Sequence, residues 1–130
     1  MQMTFLQPWA PQIRSVLRIL AAATFLTHGS MKLFGWPVPM EFPLNTLMTV
    51  AGVLEVAGGL LLVIGLFSRP VAFVLSGMMA VAYFMAHAPG GFFPVLNGGE
   101  PAMLFCFVFL YIAAAGPGPW SLDAVMARKT

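Results

Sequence analysis

The chain has 130 residues, of which 60% are hydrophobic and 8% charged, and its formal net charge is +2. Soluble domains carry roughly 25% charged residues, so six basic and four acidic side chains cannot clothe a water-facing surface. The composition points to one integral membrane domain, and so small a charge with no basic patch excludes nucleic acid as a partner.

Cys106 is the sole cysteine. That excludes an intramolecular disulfide, a Cys-x-x-Cys redox pair, a thiolate-held iron–sulfur cluster and covalently attached haem. It reads as a small apolar filler.

At the N-terminus, Pro8 and Pro11 suit a helix start, and Trp9 suits an interfacial anchor. The first span is expected over residues 13–34, enough to cross a hydrocarbon core of about 30 Å. Arg14 and Arg18 ahead of an apolar run imitate a signal peptide. No small-x-small cleavage site follows, and three more apolar runs do, so the segment reads as a retained span. Its Arg18, His28 and Lys32 are costly in hydrocarbon and ask for partners.

Gly35-Trp36-Pro37-Val38-Pro39 breaks this helix, and a loop with Glu41 and Phe42 follows. The second span is expected over 44–67, with Glu55 as its single charge, about 11 residues in and so near mid-bilayer. Ser68-Arg69-Pro70 reads as a tight polar turn. The third span, 70–88, ends at His87. A connection rich in turn formers runs to Glu100, with Phe92 and Phe93 joining Trp36 and Phe42 in an interfacial belt. The fourth span, 101–116, stops at Gly116-Pro117-Gly118-Pro119, and a tail with Trp120, Asp123, Arg128 and Lys129 follows.

The expected fold class is all-α, a transmembrane four-helix bundle. Arg14, Arg18, Arg69, Arg128 and Lys129 fall at one end and Lys32 alone at the other. The positive-inside rule then makes both termini cytoplasmic. His28, Lys32, His87 and Glu100 fall toward the outer half, with Glu55 at mid-depth. Gly52, Gly58 and Gly59 around Glu55, and Gly29 beside His28, mark close helix contacts in lipid.

These marks recur in order: Arg18, then His28-Gly29-Ser30-Met31-Lys32-Leu33, then Gly52 to Gly59 around Glu55. Gly65-Leu66-Phe67-Ser68-Arg69, His87, Asn97-Gly98-Gly99-Glu100 and Gly116-Pro117-Gly118-Pro119-Trp120-Ser121-Leu122-Asp123 complete the series. In this order and spacing the chain resembles the DoxX family of small four-span membrane proteins, over nearly its whole length. The resemblance implies a bacterial-type inner membrane and a respiratory or redox setting. It also implies an association with quinol oxidation or other membrane oxidoreductase subunits; a homo-oligomer is a further option.

For Glu55 two readings stay open. One is a structural ion pair or hydrogen bond with Lys32, Arg18 or His28. The other is a proton acceptor or ligand group. His28, Lys32, His87 and Glu100 are the candidate ligand-binding residues, and a quinone head group suits the histidines. A metal site of His28, Glu55 and His87 is a minor alternative, since no His-x-x-x-His or Glu-x-x-His spacing supports it. Arg18 is expected to reach Asp123. Gly58, Gly59, Gly98 and Gly99 are expected to be structural. No complete redox centre is present, so the cofactor is unknown. The competing class is a non-enzymatic membrane protein, either a small-solute carrier or an assembly partner.

Overall fold

A computed structural model describes residues 2–41 and 43–129. Helix is the only regular structure among the described residues, with no strand among them. A 3-10 turn, Thr4–Trp9, leads into α1, Ala10–Phe34. Then come α2, Thr46–Ile64, and α3, Ser68–Ala82. A π turn, Tyr83–His87, and a 3-10 turn, Ala88–Gly90, prolong α3. The single turn α4, Pro94–Asn97, precedes α5, Glu100–Ala115, and α6, Leu122–Arg128, closes the chain.

The helix ends follow from local chemistry. Pro11 occupies the first turn of α1, where a missing N–H costs nothing. Asn45 caps α2 by accepting from the Met48 N–H at 2.8 Å. Gly35 and Gly65 end α1 and α2 at φ of 66° and 75°, left-handed angles that cost glycine little.

Ser68-Arg69-Pro70 is not the turn expected from its composition. It forms the first turn of α3. The reversal is made earlier, by Gly65 and by Phe67 at φ 51°. The second helix therefore stops at Ile64 rather than 67. The tail expected after Gly116-Pro117-Gly118-Pro119 contains α6, capped by Ser121, which accepts from the Ala124 N–H at 3.1 Å. Phe42 lies outside the described residues, so the belt expected of it has no placement here. Trp36, Phe92 and Phe93 are exposed.

α1 packs chiefly on α2, and α3 on α5. The two pairs meet where α2 borders α3 and, more loosely, where α1 borders α5. α1 and α2 run antiparallel, since Gly29 faces Glu55 and Gly52 while Gly59 faces Leu26 and Ala22. Phe25 fills the loose α1–α5 seam, edge-on to Phe105 and Phe109 at centroid distances of 5.4 and 5.0 Å. With Leu62, Leu75 and Ile112 it forms the apolar core.

Polarity is partly inverted relative to a soluble protein. Arg18, Glu55 and Ser68 are buried, while Phe73, Phe84 and Phe107 are exposed. α2 and the prolonged α3, Ser68–Gly90, are long and apolar enough to cross a membrane. Only 28% and 22% of their most apolar windows is buried, far too little for core helices of a soluble domain.

Candidate functional site

Glu55 is the central residue of α2, nine residues from Thr46 and nine from Ile64. Lys32 lies two residues before the end of α1. Cα–Cβ bonds tilt toward a helix's N-terminus, so in an antiparallel pair Lys32 leans back along α1 and Glu55 leans up to meet it. Glycine permits the approach. A Cβ on Gly29 would stand 2.8 Å from the Glu55 Cβ and 2.9 Å from the Gly52 carbonyl oxygen.

Lys32 Nζ donates to Glu55 Oε1 at 2.6 Å, with the side chains 15% and 3% exposed. It is the only ion pair among the described residues. Glu55 Oε2 is also buried, and no described group donates to it. The carboxylate is half satisfied, with one acceptor oxygen held in the interior.

His28 stands about one turn before Lys32 on α1. Its ring is exposed at the α1–α5 seam, edge-on to Phe105 at 5.9 Å, and it makes no hydrogen bond with any described residue. His87 stands in the π turn. Its Nδ1 is 3.3 Å from the Asn97 carbonyl oxygen, which only accepts, so Nδ1 carries the proton and Nε2 is left as an acceptor in the neutral ring.

Asn97 organises this corner. It donates to Gly91 O at 2.9 Å and Tyr83 Oη at 3.2 Å, and accepts from Gly99 N at 2.8 Å. A Cβ on Gly99 would lie 2.6 Å from the Tyr83 ring, and Gly98 is left-handed. Glu100 is exposed as the first residue of α5 and has no partner among the described residues. Thus Lys32 and Glu55 come together, His28 stands on the adjoining wall, and His87 and Glu100 belong to a separate corner. Among the described residues no three His, Cys, Asp or Glu side chains gather as a metal-holding group, so His28, Glu55 and His87 do not form one.

The opposite end is fastened by a second polar network. Arg18, 1% exposed, was expected to reach Asp123. Its guanidinium instead donates to backbone carbonyls: Leu62 at 2.8 Å, Trp120 at 2.7 Å, Val63 at 3.4 Å, and Pro117. Asp123 accepts from the N–H groups of Phe67 at 2.9 Å and Ser68 at 2.8 Å, and so caps α3. Arg69, read from sequence as a topology determinant only, donates to Ala113 O at 3.2 Å and Ala114 O at 2.5 Å, closing the end of α5. Ser15, not singled out in the sequence, accepts from Trp120 N at 3.1 Å. Its one signal was its place one turn before Arg18. Gly58 packs on Leu75 of α3, and Gly59 on Leu26 of α1.

The sequence model described as DoxX matches residues 13–88. A Haemophilus influenzae protein described as uncharacterized is 40% identical over 134 residues, covering 98% of this chain and all of the relative. The Escherichia coli inner membrane protein YqjF is 27% identical over 129 residues, covering 88% of this chain and 92% of the relative. No solved structure matches the chain.

Proposed function

Because this chain belongs to the DoxX family of membrane proteins, we propose that it serves quinone-linked oxidoreduction in the inner membrane as a subunit or accessory protein. It crosses the bilayer four times, with both termini cytoplasmic. The cytoplasmic end holds Arg14, Arg18, Arg69, Arg128 and Lys129. Lys32, the one cation of the opposite end, is neutralised by Glu55.

The observation that carries the reading is the unpartnered Glu55 Oε2. A buried acceptor without a donor is costly, of order 1–3 kcal/mol. In the middle of a membrane helix such a group is by default functional. Lys32 fixes the carboxylate from one side and leaves the other oxygen to receive a proton. His28, exposed toward the bilayer beside Phe105, is open to an apolar ring arriving laterally.

A quinone, when bound, supplies two-electron, two-proton redox chemistry. Its head group would be held by hydrogen bonds from His28 and Lys32, with Glu55 holding the exchanged proton at Oε2. His87 and Glu100 would shape the outer mouth.

The test is ubiquinone binding to the purified protein. Glu55→Gln should abolish binding while the protein still inserts and purifies. Unchanged binding would remove the reading.

An assembly role is the second reading. It is favoured by an apolar groove of about 290 Å³ where Leu54, Ala57 and Gly58 of α2 meet Pro70 and Val74 of α3. A partner helix retained after mild solubilisation, with no quinone, would select it.

A further inference from the structure

A groove of about 350 Å³ lies where the N-terminal 3-10 turn and α1 border α5. Leu6, Ala10, Ile13 and Leu17 make its apolar wall, and Gln7, Arg14 and Tyr111 supply its polar groups. The other cations of α1, α2, α3 and α5 are answered by the protein. Arg18 and Arg69 end on carbonyls, and Lys32 ends on Glu55. Arg14 makes no hydrogen bond or ion pair with any described residue, and its Nε is buried without an acceptor. The Tyr111 hydroxyl likewise has no partner among them. Two unanswered donors thus sit beside an apolar trough at the end of the molecule where the chain begins.

We propose that this groove holds one anionic phospholipid, its phosphate on Arg14 and Tyr111 and an acyl chain along Ile13 and Leu17. A guanidinium fork matches phosphate oxygens in pairs, and its low hydration suits an interfacial site. A free phosphate would leave the trough uncovered, whereas a phospholipid answers both halves. A second copy of the chain has apolar surface for the trough but brings no free acid to the donors. Of its four acids, Glu55 is paired and Asp123 caps α3. Glu41 and Glu100 lie at the opposite end of the helices and do not reach Arg14 in a parallel pair.

The proposal is tested by native mass spectrometry of the full chain, extracted from bilayers of equimolar phosphatidylglycerol and phosphatidylcholine. The wild type should retain one phosphatidylglycerol, favoured about fivefold, as one basic group near an anionic surface supplies. Arg14→Gln should lose the preference. Arg128→Gln, which removes the same charge from the exposed tail, should keep it. Ala10→Trp fills the groove, leaves Arg14 in place and should also lose the lipid. If Arg14→Gln does not insert, the Ala10→Trp result decides alone. Equal retention of both lipids by the wild type, or an unchanged preference in Ala10→Trp, would overturn the proposal. So would inorganic phosphate bound as tightly to lipid-free protein, which would assign Arg14 to a soluble anion.

Discussion

Lys32 Nζ meets Glu55 Oε1 at 2.6 Å across the seam of two antiparallel helices, and Gly29 makes room for that meeting. The pair is deep on the α2 side and shallow on the α1 side. Desolvation therefore falls mainly on the carboxylate, which is 3% exposed against 15% for the ammonium. Its second oxygen has no answering donor among the described residues. The pair satisfies Lys32 better than it satisfies Glu55.

Removing one partner of this pair should be worse than removing both. Lys32→Met leaves a buried carboxylate without a counter-charge, a change that costs about 3–5 kcal/mol in comparable settings. Replacing Lys32 by Met and Glu55 by Leu together removes the stranded charge. The double variant should recover most of the loss in thermal unfolding in detergent. A double variant as unstable as Lys32→Met would show that the charge is not what destabilises it.

Gly29→Ala tests the close approach. The added methyl would meet the Glu55 Cβ at 2.8 Å and the Gly52 carbonyl oxygen at 2.9 Å, and the second of these is backbone. The helices must part. Overpacking of this kind costs about 1–3 kcal/mol, and the unfolding temperature should fall accordingly. Gly77→Ala, whose new methyl meets nothing within 4 Å, is the control and should leave it unchanged or raised.

The pairing was legible in the sequence because a charge inside an apolar run is rare and must be answered. Lys32 and Glu55 were among few candidates. The position of His28 was not legible. It shares a broad helix face with Lys32, but the contact stripe runs through Gly29 and Lys32, and His28 falls beyond its edge. The carbonyl partners of Arg18 were missed for a different reason. Charge counting suggests Asp123, whereas the turn at Gly65 and the Gly-Pro-Gly-Pro segment leave carbonyls without N–H partners. Such acceptors have no signature in residue type. The start of α3 was read one turn late because Ser68-Arg69-Pro70 has the composition of a turn. The reversal in fact uses a left-handed phenylalanine, which no composition rule anticipates.

Asp123→Ala should uncap α3. Both carboxylate oxygens accept backbone N–H groups, from Phe67 and Ser68, at an end where the helix dipole also favours an anion. The loss should be about 1–2 kcal/mol. Asp123→Asn keeps one acceptor oxygen without the charge, so it should fall between wild type and alanine. Thermal unfolding of the three proteins checks the order. An asparagine variant as stable as wild type would mean that geometry alone, without charge, makes the cap.

Arg18→Lys should release the C-terminal segment although the charge is kept. The planar guanidinium reaches carbonyls on two separate stretches at once, Leu62 and Val63 on α2 and Pro117 and Trp120 in the tail. An ammonium is a point donor on a flexible stem and cannot span both. Each charge-assisted bond is worth roughly 1.5–3 kcal/mol, so losing two should free the tail without unfolding the helices. Limited proteolysis from the side of the termini reads this directly. Cleavage between Pro117 and Ser121 should accelerate at least tenfold in Arg18→Lys while the helical circular dichroism stays unchanged. Wild-type cleavage rates in that variant would mean that Ser15 and Asp123 hold the tail without Arg18. A combined loss of helix would instead show that the four carbonyls anchor the whole bundle and not its tail alone.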